Sequence, residues 1–443
     1  MKKRTYIAIL VAAVSSAACD NFLDVLPKSS IADDETIFDE RSAETAINGV
    51  YASLRGYFDV GYQSIGYLSG DNIEFTGSQS QIKEFIDHNV NAENSTIAGA
   101  WSGIYRTINR ANHVIEKVPG LSGDAISDAA KNRILGEAYF IRGLAYFDLA
   151  RVWGGAPLIT TATTGPSDNV GIPRSTQEQT YQQALTDWNN AEELLAETTN
   201  RQRATRKTVW ALKARYYLYQ ADWGQAIEYA GKLISDANYR LVTPYSAWFA
   251  DDASATQEAV FELFHSINEP NGHYGQWLPQ ERGGTRQWAP NNAFAQLVTN
   301  PAVGGGRSAL VGVDNQGRWF GNLYYRTNGS DPSYVVRIAE LYLIRAEAYV
   351  QLENVDAALA DLNAVRHRAG LGDSEATDEE TTLLAIENER RLEFGFEAHR
   401  WFDLVRTGRA QEVLGITNVN RLLLPIPAEQ ILIDNALEQN PGY

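Results

Sequence analysis

In Arg337-Ile-Ala-Glu-Leu-Tyr-Leu-Ile-Arg-Ala-Glu-Ala-Tyr349, the residues Tyr342, Ala346 and Tyr349 stand at spacings of 4 and 3. On a helix of 3.6 residues per turn those spacings share one face, and the small residue lets a neighbouring helix approach closely. Trp210, Ala214 and Tyr217 repeat this large-small-large triplet. Each triplet is followed by a second apolar set, Ala358, Leu362 and Val365 in one case and Ala226, Ala230 and Leu233 in the other, and all six pairs share one offset. Tyr139, Gly143 and Tyr146 repeat the first half alone, with no clear second half. A weak repeat of this kind is the physical content of a tetratricopeptide-type helical hairpin. The spacing therefore predicts a mostly α, tetratricopeptide-like scaffold.

Working outward, helical periodicity is strong at Ser42–Leu54, Trp101–Val118, Lys131–Val152, Thr180–Glu197, Lys207–Tyr219 and Gly224–Ile234. It resumes at Ser333–Leu352, Val355–Arg368, Thr381–Glu397 and Arg400–Arg406. Between about His265 and Asp331 the pattern dissolves into Gly, Pro, Asn and Gln, with Gly283, Gly284, Gly304, Gly305 and Gly306 as breakers. That stretch reads as a large irregular insertion with short strands at most.

At the N-terminus, Lys2, Lys3 and Arg4 precede an apolar run from Tyr6 to Val14 and then small residues leading to Cys19. This is the three-part layout of a signal peptide over residues 1–18. Cys19 is the single cysteine of the chain. Placed directly after such a segment, it reads as the thiol that lipoprotein processing acylates, giving a membrane anchor that needs more than one acyl chain to hold. Residues 19–31, with Pro27, Ser29 and Ser30, read as a tether, and 32–443 as one folded domain.

A content of 44% hydrophobic and 11% aromatic residues suits a large packed core. The formal net charge of −17 repels phosphate backbones, which argues against nucleic acid as a partner. Ten tryptophans and 22 tyrosines supply many flat amphipathic rings.

The segment after the quoted helix sharpens the reading. Glu389, Arg390, Arg391, Glu393, Phe394, Glu397, His399, Arg400, Trp401, Asp403, Leu404 and Arg406 form a closing signature that resembles the SusD/RagB family, the nutrient-capturing outer-membrane lipoproteins of Bacteroidetes. Asp-Asn-Phe-Leu-Asp after Cys19, the Trp101 to Asn112 helix, Arg142 to Trp153 ending in Gly-Gly-Ala-Pro, and Leu-Pro-Ile-Pro around Pro425 match as well. The resemblance spans nearly the whole mature chain and is weakest over 265–331. Ser16 stands where the commonest lipobox has Leu. What the resemblance implies is a SusD-like helical fold held outside the outer membrane as a lid over a SusC-like TonB-dependent transporter. It implies a glycan or related nutrient as ligand, bound on exposed loops, with the helices facing the transporter.

The residues themselves offer little reactive chemistry. None of the six histidines belongs to a His-Glu-x-x-His helix, and neither a nucleophile elbow nor a phosphate loop occurs, so no catalytic residue, metal or cofactor is expected. Asp87, Asn89, Asn91 and Glu93 alternate like a calcium loop, yet Ala92 and Ala98 occupy the positions that need Gly and a bidentate carboxylate. His399 and Asp403 lie one turn apart beside Trp401 and Phe402, as in a packed structural helix. Glu387 with Arg391, and Glu397 with Arg400, have the spacing of local helical ion pairs.

Binding candidates come from the irregular stretch, where rings on glycine-rich loops lack helical spacing. Trp277, Trp288 and Trp319, with Tyr274, Tyr324 and Tyr325, are expected as platforms for the C–H faces of sugar rings. Gln276, Glu281, Arg286 and Asn291 are expected at a polar rim for the hydroxyls. Any one of these rings has an alternative role in pinning loops to the helices. Asp71 and Asn72 form a second candidate, with helix capping as the alternative. Trp153, Trp188, Trp210, Trp223 and Trp401 are expected in the core. Two other functions remain open: a peptide-binding tetratricopeptide-type lipoprotein using a concave helical groove, and a secreted glycan-degrading enzyme with a carboxylate pair in a cleft.

Overall fold

The computed structural model describes residues 36–443 apart from Pro166 and Asp251. The signal peptide, Cys19 and the tether lie outside the described residues. The chain begins with helices α1 (Glu40–Tyr57), α2 (Val60–Leu68), α3 (Ser80–Ile86), α4 (Ser95–Lys117), α5 (Asp128–Trp153), α6 (Gln177–Leu194), α7 (Arg206–Tyr219) and α8 (Trp223–Ile234). A short strand, β1 (Ile73–Phe75), separates α2 from α3. Then come β2 (Ala259–Leu263), α9 (His273–Trp277), β3 (Trp288–Pro290), α10 (Asn292–Thr299), β4 (Val311–Val313), β5 (Trp319–Gly321) and β6 (Ser333–Arg337). Helices α11 (Ile338–Gln351), α12 (Val355–Arg368), α13 (Glu379–Glu393), α14 (Arg400–Arg406), α15 (Ala410–Leu414) and α16 (Ala428–Ile433) complete it. Among these, no helix is long and apolar enough to cross a membrane.

The repeat is realised as antiparallel hairpins. α7 packs on α8 and α11 on α12, and α8 packs on α11 to join the two. The small members of the repeat, Ala214, Ala226, Ala230, Ala346 and Ala358, are fully buried, while Trp210, Tyr217, Tyr342 and Tyr349 stay half-buried at the seam edge. The missing second half of the third copy is α6. Gly143 on α5 faces it so closely that a Cβ would lie 2.7 Å from Trp188 Nε1, so only glycine fits. Tight approach through a small residue is what the spacing of 4 and 3 foretold. Thr176 and Thr205 open α6 and α7 with reciprocal capping boxes, satisfying backbone N–H groups that the helices leave unpaired.

One buried apolar cluster runs from Ile37 to Ile426, and a smaller one sits between α11, α12 and α13. Trp153, Trp188 and Trp401 are in the core as expected, whereas Trp210 and Trp223 are only half-buried. Trp210 keeps its polar tip at the surface, its Nε1 donating to Glu192 at 2.7 Å. Trp153 donates to the Pro425 carbonyl at 2.9 Å and meets Trp101 edge-on at 5.2 Å, which fastens the Leu-Pro-Ile-Pro segment to the end of α5.

Helical periodicity read from the sequence reaches back too far at one point. Ser333–Arg337 is a strand, not the start of a helix. Its Ser-Tyr-Val-Val run suits a pleated surface, and it pairs antiparallel with β2, with every residue of both strands buried. Arg337 ends β6 and is also the residue from which α11 begins. Its guanidinium is wholly buried, bonded to Glu258 at 2.9 Å, Glu393 at 2.9 Å and Glu397 at 2.6 Å, and lies 4.0 Å from the centroid of the Trp248 ring. Arg307 and Arg368 join the same carboxylates. Buried charges persist only when paired this completely.

The local ion pairs expected on the closing signature do not form. Glu387 binds Arg400 and Arg409, and Glu397 binds Arg337. Arg391 goes to Asp71 and Asn72. Partly or wholly buried partners from other elements displace pairings that would be worth only ~0.2–0.5 kcal/mol on an exposed helix.

Candidate functional site

The irregular stretch is built on two small antiparallel pairs. β1 pairs with β3, bringing Phe75 opposite Trp288, and β4 pairs with β5, bringing Val313 opposite Trp319. α9 and β5 close against β3, so segments far apart in sequence meet on one face.

Beneath that face lie rings that the sequence nominated as ligand platforms. Trp277 is 1% exposed and Trp288 3%. They contact each other at 5.7 Å, both contact Tyr67 of α2, and Trp277 also meets Phe396 at 4.9 Å. β5 rests directly on Trp277, since a Cβ at Gly321 would fall 2.6 Å from the indole. Tyr324 is buried as well, stacked on His273 at 4.3 Å. These three residues therefore pin loops to the helical body and offer no open ring face. Their indole and phenol surfaces are worth more against Tyr67, His273 and Phe396 than against water.

Trp319, Tyr274, Gln276 and Arg286, all nominated by the sequence, remain half-exposed. Among the described residues neither Trp319 nor Tyr274 takes part in a ring–ring contact, although Trp319 packs in part against the core. Arg286 is the centre of the patch. Its Nε donates to the Trp319 carbonyl at 2.7 Å, its amide donates to the Leu278 carbonyl at 2.8 Å, and its carbonyl accepts from Thr76 Oγ1. Its φ of 46° is unusual for a residue with a Cβ. Such a conformation persists only where surrounding bonds over-determine it, and those cluster at functional positions. Burial and the neighbouring Arg318 lower the basicity of the guanidinium, and Glu74, 3.6 Å from Nη2, is its acidic neighbour. Glu74 is a residue that sequence reasoning missed. Its one signal was its place beside the Asp71-Asn72 candidate.

Glu281 is exposed and accepts from the Asn315 amide at 2.9 Å, holding the β4–β5 turn. Asn291 is not at a rim: it caps α10 and donates to the Asp71 carbonyl at 2.9 Å. Tyr325 is half-buried against the core cluster.

Asp71 and Asn72 do not cap a helix; their side chains are engaged by arginines. Asp71 accepts from Arg400 Nε at 2.6 Å and lies 3.1 Å from Arg391 Nη2. Asn72 is 1% exposed and bonds Arg391 through both ends of its amide. Burial alone would raise the Asp71 carboxyl, but the hydrogen bond and charge of Arg400, with Arg391, hold it below the ordinary carboxylate value. These two residues tie the start of β1 to α13 and α14.

His399 and Asp403 do not pair. Asp403 binds Arg390 and Arg406, and His399 packs on Phe394 at 4.5 Å. Asp87 pairs with Lys83, and the Asn91 side chain donates to Glu84 at 2.7 Å. The half-exposed side chains on these joined segments are two aromatic rings, an amide, a guanidinium and a carboxylate, residue types suited to a polyhydroxylated ligand.

A family model described as "Starch-binding associating with outer membrane" matches residues 21–218, and the SusD family model matches residues 320–443, so the two together cover more than two thirds of the chain. A SusD-like protein of Formosa agariphila is 26% identical over 488 residues, covering 96% of each chain. The starch-binding protein SusD of Bacteroides thetaiotaomicron is 25% identical over 420 residues, covering 72% of this chain and 74% of that protein. Among solved structures, a SusD superfamily protein of Bacteroides vulgatus superposes with a TM-score of 0.84 at 22% identity, covering 92% of this chain and all of that one. A laminarin-binding SusD-like protein does so with a TM-score of 0.81 at 24% identity and the same coverage. These two likenesses show the fold, and they leave the match of both terminal halves to the family models as the decisive observation: this chain belongs to the SusD/RagB family.

Proposed function

We propose that this chain binds an oligosaccharide or polysaccharide nutrient at the cell surface and delivers it to a SusC-like TonB-dependent transporter in the outer membrane, to which Cys19 holds it by acyl chains. The observation that carries the reading is that Arg286, beside Glu74, is bonded to the Trp319 carbonyl and to the Leu278 carbonyl that follows α9, and that Trp319, Tyr274 and Gln276 stay half-exposed there. Family membership supports the same class of ligand, since one relative is named for starch and one structure for laminarin. The tetratricopeptide-like hairpins serve as the mount, and the transporter is the partner on their side.

The test is affinity electrophoresis of the native protein and of W319A and Y274A through gels carrying starch, laminarin and other soluble glycans. Each substitution should weaken retention about tenfold, the equivalent of ~1.4 kcal/mol. Retention of native protein by no glycan, or equal retention of all three proteins, would overturn the assignment. Recovery of a large β-barrel with the protein from native outer membranes checks the transporter partnership.

A further inference from the structure

A second place on the surface combines an open ring with a polar rim. Phe264 follows β2 directly and is 51% exposed, far from the burial expected of a phenylalanine beside a core strand. It lines a cavity of about 450 Å³ between α1, the loop at residues 200–203 and the turn that begins at Phe264. That volume lies within the ordinary range for small-ligand sites, about 300–1,000 Å³. None of the residues of the Arg286 patch contributes to it.

Three rim amides, Asn48, Asn200 and Gln202, share one property: each is fixed through one polar atom and leaves another unengaged. Asn48 Oδ1 accepts from Arg203 at 2.6 Å, leaving its NH2 group to point elsewhere. Asn200 Oδ1 accepts from the amides of Gln202 and Arg203 at 3.0 and 3.1 Å, and its NH2 group bonds to no described residue. Gln202 Nε2 donates to Ser254 and Glu262, which leaves its carbonyl oxygen as an acceptor. Arg55 and Glu269 pair across the cavity and cancel each other's charge. The result is a positioned set of two donors and one acceptor, beside a neutralised ion pair and an apolar ring face.

A site of that kind asks for a ligand that is neutral, rich in groups that both donate and accept, and apolar on one face. A charged ligand would have to break the Arg55–Glu269 pair, and a purely apolar one would strand the amides, at about 1–3 kcal/mol for each group left unsatisfied. A pyranose ring meets all three demands. We propose that the Phe264 cavity is a second carbohydrate-binding site of this chain, separate from the Arg286 patch; it rests on the reading of the protein as a glycan binder. Two such sites on one tethered molecule would raise retention of a long chain without any stronger single contact.

The test uses the full chain in detergent on an immobilised glycan panel containing amylose and laminarin. F264A and N48A remove the platform and one rim donor, W319A probes the Arg286 patch, and I267A is a control, exposed in the same turn but outside the cavity. F264A and N48A should each weaken retention about fivefold on the glycans that hold the native protein, with I267A unchanged and the effect of W319A additive. Full retention of F264A and N48A beside a loss in W319A overturns the second site and leaves the proposed function standing. A loss in F264A with a lowered melting temperature and with normal binding in N48A also counts against it. Retention of native protein by no glycan sinks both readings.

Discussion

Arg400 on α14 donates through Nε to Asp71 Oδ1 at 2.6 Å, joining two residues that lie 329 positions apart in the chain. Arg391 reaches the same carboxylate and, through Asn72, the same turn. The closing signature of the sequence is therefore a clasp on the N-terminal half, placed directly under the strand pair that carries Glu74 and Trp288.

Replacing Asp71 with Ala should lower stability by ~2 kcal/mol, less than for a fully isolated buried charge because Glu387 still holds Arg400. The Asp71 carboxyl is held below its ordinary value in the folded chain. Its contribution is therefore present above the unfolded pKa and is lost as pH falls through the folded one. Urea titration of D71A against native protein at pH 7 checks the magnitude, and a difference within 0.5 kcal/mol, the range of a neutral surface change, would refute the clasp.

Trp277 and Trp319 should separate cleanly in stability. W277A empties a site between Tyr67, Trp288 and Phe396 and should cost ~3–5 kcal/mol. W319A, at a half-exposed position, should cost under ~1 kcal/mol while weakening glycan retention. Denaturation of the two variants side by side distinguishes pin from platform. A stable W277A that has lost glycan binding would reverse their assignment.

Acid should weaken the fold well before the carboxylates titrate. Burial pushes His273 and His399 down from 6.5 to about 3, the latter among Glu340, Arg215, Arg390 and Asp403. The unfolded chain takes up those protons below pH 6.5 and the folded chain does not. Stability is thus full above 6.5 and falls as pH drops toward 3, by up to ~1.4 kcal/mol per pH unit for each histidine. Glu340 and Glu393, whose folded values lie at about 2, add a second loss from about pH 4.5 downward. Unfolding free energies of native protein and H399Q between pH 7 and 5 check the first phase; the slope should be shallower in H399Q.

The anchor makes a separate prediction. C19A should appear in the soluble fraction after cell disruption, whereas native protein sediments with membranes; equal sedimentation of both would count against acylation.

The helical mount was legible because its signal is local. Tyr342, Ala346 and Tyr349 carry their spacing within two turns, and the hairpins α7–α8 and α11–α12 follow from it. The fate of the aromatic loops was not, because it depends on partners remote in sequence. Nothing near Trp277 announces that Tyr67 and Phe396 will enclose it, while Trp319, on β5 opposite Val313, meets no such partner ring among the described residues. The same limit explains Glu387 and Glu397, whose nearby arginines are claimed by other elements. Phe264 carries no local signal either, since its exposure follows from where β2 ends in the folded chain.

β2 and β6 pair antiparallel on either side of residues 264–332, and Arg337 locks their far end to α13. Whatever lies between them leaves and rejoins the helical body at one fixed doorway. Lengthening such a segment costs little, since closure entropy grows only with the logarithm of length, about 0.6 kcal/mol per doubling. Trp277, Trp288 and Arg307 staple the stretch to the body between those ends, so the turns between the staples are the parts that can lengthen or change while the hairpins behind them keep their shape.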